Sequence, residues 1–158
     1  MKSDDDLITR AESVATEAHR GQVDKAGRDY IEHPRRVAAN ARSAVTAHGL
    51  GDDEATWVIA AAWLHDVVED TAVTESDLRR DFPAEVVDAV IAVTKRAEED
   101  VEDYFARVRA NRFAVVVKTA DLADNTDPDR QALLDEETRA RLIEKYQRAY
   151  ALLGVEPR

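Results

Sequence analysis

The sequence predicts a single all-α domain, built as a bundle of about seven or eight helices. Three observations favour this fold class. The chain has 158 residues, the length of one ordinary domain. It contains only five Gly and four Pro, too few for the many turns of a β-sandwich or barrel. Apolar residues recur at helical spacing along most of the chain. One domain over residues 1–158 is therefore expected.

The first half of the chain predicts five helices. Leu7, Ala11, Val14 and Ala18 form the apolar stripe of the first helix, which Gly21 ends. The later helices begin at residues that favour a helix start: Pro34, Asp52, Thr74 and Pro83. The predicted helices cover residues 7–20, 33–47, 54–68, 75–81 and 84–94. The third is apolar nearly all round from Trp57 to Leu64, so we expect it at the centre of the bundle.

The second half predicts a mobile loop and three further helices. Residues 95–103 are densely charged and predict a mobile loop or the edge of a helix, which a helix over 104–110 follows. The β-branched run at 113–119 suits either a buried strand or a buried helix. No second run offers a strand partner, which favours the helix. Pro128 breaks it, and the last helix covers 136–153 before Gly154.

Composition excludes several classes of function. The chain carries 22 Lys plus Arg against 33 Asp plus Glu, a net charge of −11, which disfavours a nucleic-acid partner. The lack of Cys excludes disulfides, thiolate zinc sites and a Cys nucleophile. No apolar run reaches the roughly 20 residues that span a bilayer, and the polar N-terminus is not a signal peptide. We expect a cytoplasmic protein with no membrane partner. Its oligomeric state, including a homo-oligomer, stays open.

Four polar side chains occupy positions that are otherwise apolar or open a helix. His65 and Asp66 end the most hydrophobic segment, Asp121 follows a run of β-branched residues, and His33 stands at a helix start. Burying such groups is costly unless something compensates them. Two imidazoles and two carboxylates suit a divalent transition metal. A His-Asp pair alone is common, however, and a structural His bonded to a helix end is the alternative.

Three motifs in order make the pattern more specific: YIEHP at 30–34, LHDVVED at 64–70 and VKTADLADN at 117–125. Together with AHRGQ at 18–22, they resemble the HD-domain metal-dependent phosphohydrolases. The residues of these motifs are similar to those of the hydrolase domain of the Rel/Spo alarmone enzymes and of the free-standing small alarmone hydrolases. The resemblance covers nearly the whole chain. It implies a helical fold and one Mn²⁺ ion, held by His33, His65, Asp66 and Asp121.

The resemblance also implies that Glu69 and Asp70 handle the attacking water. The spacing agrees, because Glu69 lies one helical turn after His65 and so faces the metal's side. The alternative is an ordinary acidic helix terminus. Acidic side chains at a helix C-terminus oppose the helix dipole, which counts against that alternative.

The expected substrate contacts are less specific. Asn125 matches the family's nucleotide-contacting Asn, and an Asx turn before Pro128 is its alternative reading. Lys25, Lys95, Arg96 and Arg141 are the cations expected around a polyphosphate, with Tyr146 as a stacking ring. Solvated surface positions are the alternative for each cation.

The chain departs from the family in the loop before the first motif. Where alarmone hydrolases carry an Arg-Lys pair, with the Arg stacked on guanine, this chain has Asp24-Lys25. We expect Asp24 to weaken alarmone binding, because it cannot stack and repels phosphate. Either Arg28 substitutes for the missing Arg or guanine specificity is lost. The family's Pro before Tyr30 is Asp29 here. Where the family continues with Arg-Thr after the third motif, this chain reads Thr126-Asp127-Pro128.

Three functions follow as hypotheses. The first is an enzyme, a Mn²⁺-dependent pyrophosphohydrolase that converts guanosine 3′,5′-bis(diphosphate) and water to GDP and pyrophosphate. The second is a phosphohydrolase of another phosphorylated nucleotide or cofactor. The third is a non-catalytic nucleotide sensor, which the retained Glu69-Asp70 pair disfavours.

Overall fold

The computed structural model describes residues 4–157, with side chains from residue 5 onward. The first three residues of the polar N-terminus and Arg158, both included in the predicted domain, lie outside this range. The helices are α1 Asp4–Ala18, α2 Glu32–Ala44, α3 Asp52–Leu64, α4 Val67–Asp70, α5 Glu75–Asp81, α6 Ala84–Ala92, α7 Val101–Arg109, α8 Arg112–Asn125, α9 Pro128–Gln131 and α10 Glu136–Leu153.

The predicted all-α bundle is confirmed. Among residues 4–157, α4 and α9 are single turns and the other eight helices match the predicted number. The β pairing within that range is one isolated antiparallel bridge between Val23 and Asp29, in the loop after α1. None of the helices in that range is long and apolar enough to cross a membrane.

Helix α3 lies at the centre, as its uniform hydrophobicity predicts. It packs against α1, α2, α6 and α8. Val58, Ala60, Ala61 and Leu64 on α3 are completely buried. The packing of α2 and α8 against α3 and each other brings the first, second and third motifs together.

The third predicted helix is shorter than expected. The sequence predicts a helix to Val68, but α3 ends at Leu64 and the single turn α4 follows. The imidazole Nδ1 of His65 donates to the carbonyl of Ala62 at 2.7 Å, which satisfies a group at the end of α3. The break matters for function, because adjacent residues on one continuous helix cannot face the same point.

The β-branched run at 113–119 lies inside α8, so the helical interpretation is correct. Asn111 caps this helix, accepting from the backbone N–H groups of Phe113 and Ala114, both at 3.0 Å. The run is a helix because its apolar side chains pack on neighbouring helices, and this packing overrides the weak strand propensity of Val.

The predicted mobile loop at 95–103 is shorter and more constrained than expected, since α7 already begins at Val101. Arg107 on α7 donates to the carbonyl of Ile91 at 2.8 Å and that of Thr94 at 2.9 Å. It also pairs with Glu99 at 2.7 Å. One half-buried guanidinium therefore caps the end of α6 and holds the loop that follows.

Truncation of the central helix should be costly. Leu64→Ala is expected to lower the free energy of unfolding by about 2–5 kcal/mol, since Leu64 is completely buried. Leu133→Ala, at a side chain that is 49% exposed, is the matched control and should change it by about 0.5 kcal/mol or less. Urea unfolding of the metal-free protein measures both. Equal losses would contradict the central position of α3.

Candidate metal centre and active-site cleft

The structure brings the four predicted metal ligands to one buried point. The Nε2 atom of His33, in the first turn of α2, lies 2.9 Å from Oδ1 of Asp121 and 3.7 Å from Oδ2 of Asp66. The Nε2 atom of His65 lies 3.0 Å from the same Asp66 oxygen and 3.3 Å from the same Asp121 oxygen. Both imidazoles thus face the same two carboxylate oxygens, and the end of α3 allows His65 and Asp66 to do so together.

The chemistry of this donor set fits a cation. A carbonyl oxygen can only accept, so the bond from His65 to Ala62 places a proton on Nδ1 and leaves Nε2 as the ligand atom. That Nε2 atom is buried and lacks a hydrogen-bond partner. Burial alone would lower the pKa of His65, but Asp66 and Asp121 hold it well above its usual range. The field at this point therefore favours positive charge, which a divalent metal supplies.

The carboxylates of Asp66 and Asp121 are held ionised. Burial alone would raise the pKa of Asp66, but His65 lowers it to about 2. Lys118 and the two histidines lower that of Asp121 well below its usual range. Lys118, one turn before Asp121 on α8, donates to its Oδ2 at 3.0 Å. This leaves Oδ1 to face the imidazoles. We did not single out Lys118 from the sequence, although its i, i+3 spacing to Asp121 was a usable signal.

Two further residues of the motifs support the site. The hydroxyl of Tyr30 donates to Oδ2 of Asp66. Asp124, buried on α8, lies with Oδ2 2.6 Å from Nδ1 of His33. Both residues lie inside the quoted motifs, but spacing alone does not show that a side chain 36 or 91 positions away is its partner.

Glu69 and Asp70 lie in α4, at the exposed edge of the centre. Their carboxylates and that of Asp66 approach within 4.8 Å of one another. Glu69 accepts a hydrogen bond from the backbone N–H of Lys95 at 2.7 Å. Partial desolvation raises the pKa of both Glu69 and Asp70, and repulsion from the Asp66 carboxylate adds a smaller increase. A carboxylate with a raised pKa is a better proton acceptor.

A cleft of about 1170 Å³ opens above these groups. Five of the residues predicted to contact substrate line it: Lys25, Lys95, Asn125, Arg141 and Tyr146. The prediction for Arg96 is wrong, because Arg96 does not line the cleft and its backbone N–H donates to Glu99 at 3.1 Å within the loop. Arg130 and Lys145, which the sequence did not indicate, line it as well. Burial and the nearby Lys25 lower the pKa of Lys145, so cations crowd this wall.

Asn125 does not form the Asx turn that was its alternative reading. Its Nδ2 donates to Oδ1 of Asp121 at 3.2 Å, and its Oδ1 accepts from Nη1 of Arg130 at 3.1 Å. Asp127 instead caps the turn, accepting from the N–H of Asp129 at 3.3 Å. Asn125 thus faces the centre, as its four-residue spacing from Asp121 predicts.

Asp24 has a structural role that its position in the motif did not reveal. Its Oδ1 accepts from the backbone N–H of Ala26 at 2.9 Å and that of Arg28 at 3.0 Å. Its Oδ2 lies 3.8 Å from Nη2 of Arg130. The side chain is 9% exposed. The carboxylate therefore shapes its own loop and is partly neutralised. Arg28 is exposed beside it and lines the cleft.

Comparison with known proteins gives one family. The HD domain model matches residues 11–112. The guanosine-3′,5′-bis(diphosphate) 3′-pyrophosphohydrolase of Haemophilus influenzae is 34% identical over an alignment of 142 residues, gaps included, and the match covers 79% of this chain and 20% of that protein. The probable enzyme of the same name from Synechocystis is 34% identical over an alignment of 150 residues, and the match covers 84% of this chain and 19% of that protein. The chain therefore spans about a fifth of the length of these relatives.

Other relatives carry a different name. The GTP pyrophosphokinase of Streptomyces coelicolor is 47% identical over 88 residues, which are 56% of this chain and 9% of that protein. A solved structure, described as a metazoan ortholog of SpoT that hydrolyzes ppGpp, has a TM-score of 0.66 and 23% identity. The match covers 93% of this chain and 85% of that one, which shows a shared fold.

If these residues bind a metal, the substitution of one of them should lower the metal content of the protein. His65→Ala should remove a buried ligand, so protein purified without chelators should contain far less divalent transition metal than the wild type. His48→Ala removes an exposed imidazole elsewhere and should leave the content unchanged. Elemental analysis measures all three proteins. Equal metal content in wild type and His65→Ala would contradict the assigned centre.

Proposed function

The chain belongs to the HD domain family, and from this premise we propose that it is a metal-dependent pyrophosphohydrolase acting on guanosine 3′,5′-bis(diphosphate). The observation that carries the proposal is the convergence of two imidazoles and two carboxylates at the base of a cleft lined by basic side chains. We take the metal to be Mn²⁺, which suits a mixed nitrogen and oxygen donor set without thiolate. We place the protein in the cytoplasm.

The residues divide into those that would hold the cation and those that would act on water. His33, His65, Asp66 and Asp121 would bind the ion. A divalent cation bound there would lower the pKa of water and withdraw charge from a phosphoryl oxygen. Glu69, at the cleft edge with its raised pKa, would accept the proton of the attacking water. The N–H of Lys95 fixes the Glu69 carboxylate in that position.

The proposed reaction consumes one water. Its oxygen bonds to the phosphorus attached to the 3′ oxygen, and the bond from that phosphorus to the 3′ oxygen breaks. The 3′ oxygen leaves with a proton, so the products are GDP and pyrophosphate. The cations of the cleft, among them Lys25, Arg141 and Lys145, would neutralise the diphosphates. Tyr146 would offer a ring for stacking.

Asp24 supports a second candidate, the hydrolysis of another phosphorylated nucleotide, such as an adenine cofactor with a 3′- or 2′-phosphate. The guanine-stacking Arg implied by the family resemblance is absent there, and Asp24 is committed to its own loop turn. The relatives named above as acting on guanosine 3′,5′-bis(diphosphate) favour the first candidate.

Glu69 distinguishes an enzyme from a non-catalytic sensor. Glu69→Gln should retain metal and fold, yet lower kcat by about 10²-fold or more, since it removes the proposed proton acceptor. Glu17→Gln, at an exposed position on α1, is the control and should leave kcat unchanged. Pyrophosphate release with Mn²⁺ measures both. A Glu69→Gln enzyme with the wild-type rate would show that the acidic pair is structural.

Asp24 distinguishes the two substrate candidates. Asp24→Asn keeps the oxygen that accepts from Ala26 and Arg28 but removes a negative charge from the cleft. It should therefore lower KM for guanosine 3′,5′-bis(diphosphate) by about threefold to tenfold. Asp29→Asn, an exposed change in the same loop, should not.

Steady-state kinetics on this substrate and on an adenosine 3′-phosphate decide the matter. A gain on the guanine nucleotide supports the first candidate. Turnover of the adenine nucleotide alone would reject that candidate in favour of the second. An unchanged KM on both would show that the Asp24 charge does not act on the bound phosphates.

A further inference from the structure

We infer that Asp124 is a positioning residue: it holds His33 so that Nε2, and not Nδ1, is presented to the cation. The inference concerns the orientation of one ligand and rests on the metal centre of the proposed function. The family resemblance assigned Asp124 no role.

The contact between the two side chains is short and buried. Asp124 is 3% exposed and His33 is 4% exposed. Nδ1 of His33 lies 2.6 Å from Oδ2 of Asp124, a distance typical of a strong, charge-assisted bond. An ionised carboxylate only accepts, so Nδ1 carries the proton. The Nε2 lone pair of a neutral ring then points to the centre.

The carboxylate itself has no freedom to turn. Nε of Arg36 donates to its Oδ1 at 2.7 Å, and Nη1 of Arg130 donates to its Oδ2 at 2.8 Å. With His33, three donors from two helices, α2 and α9, therefore fix two oxygens. Both oxygens must accept, which a carboxylate can do and an amide cannot. The two guanidinium groups also offset the cost of burying the charge.

The two histidines are oriented by different means. His65 donates its Nδ1 proton to the backbone carbonyl of Ala62, at the end of α3. His33 opens α2 and relies instead on a side chain from α8. A hydrogen bond to the far nitrogen of a metal-bound imidazole fixes its tautomer and direction and increases its basicity. The support of His33 can thus be removed by mutation without touching a ligand.

Asp124→Asn provides the test. The amide must turn its NH₂ group either to Arg36, where two donors clash, or to His33, where it also meets the donor of Arg130. In the second case Nδ1 must accept, the ring proton moves to Nε2, and the ligand atom is blocked. We expect the Kd for Mn²⁺, measured by chelator competition without nucleotide, to rise about 10- to 100-fold.

Asn40→Ala is the matched control. Its Nδ2 donates to the carbonyl of Ala120 at 3.1 Å, so it joins the same two helices without touching the ligands. Its Kd for Mn²⁺ should equal that of the wild type. A wild-type Kd in Asp124→Asn would overturn the inference, as would an equal rise in both variants.

A measurement on the wild type covers the case in which Asp124→Asn does not fold. In the zinc-loaded protein, long-range ¹H–¹⁵N NMR should show a proton on Nδ1 of His33 and none on Nε2. An unprotonated Nδ1 would overturn the inference. Both experiments omit nucleotide, so a protein that binds metal as expected but hydrolyses nothing would refute the proposed function and leave the role of Asp124 intact.

Discussion

The cost of removing charge from water at one point governs the arrangement of this protein. Two imidazoles and two carboxylates meet between the start of α2, the end of α3 and the middle of α8. Each buried ion costs several kcal/mol unless it is paired. The surrounding side chains supply those pairs. Lys118 donates to Oδ2 of Asp121, and Tyr30 donates to Asp66. Asp124 accepts from His33. A cation completes the compensation that the protein's own groups leave unfinished at Nε2 of His65.

Helix geometry serves this centre as much as it serves packing. An unbroken helix through Val68 would have directed His65 and Asp66 away from each other. Ending α3 at Leu64 costs helical hydrogen bonds, and the bond from His65 to Ala62 restores one of them. The single turn α4 then places Glu69 at the edge of the cleft, where the backbone N–H of Lys95 donates a hydrogen bond to its carboxylate. That backbone is held in turn by Arg107 through Thr94 and Glu99. Positioning of Glu69, the proposed proton acceptor, therefore extends to Arg107, which does not line the cleft.

The cleft resolves an apparent conflict between the net charge of the chain and its proposed substrate. A chain with a net charge of −11 is a poor partner for a polyphosphate. The structure concentrates Lys25, Lys95, Lys118, Arg130, Arg141 and Lys145 along one cleft. Because nearby charges act most strongly, these cations act on a bound phosphate more strongly than the distant negative surface does at physiological ionic strength. Asp24 lies in the same lining, as do Asp127, Asp129 and Glu144. Its bonds to the backbone of Ala26 and Arg28 give Asp24 a structural role in its own loop.

The sequence by itself determined the helical fold and the central helix, because these depend on periodicity, capping and hydrophobicity along the chain. Polar groups at apolar positions and at a helix start made His65, Asp66, Asp121 and His33 candidates. The resemblance of three ordered motifs to a known family implied that the four act together as metal ligands. Tertiary structure alone decided how those groups are supported. Asp124 lies inside the third motif, but no local pattern shows that His33 and Arg36, on the distant helix α2, are its partners. Helix packing sets which charges share a buried space, and no local pattern encodes that distance.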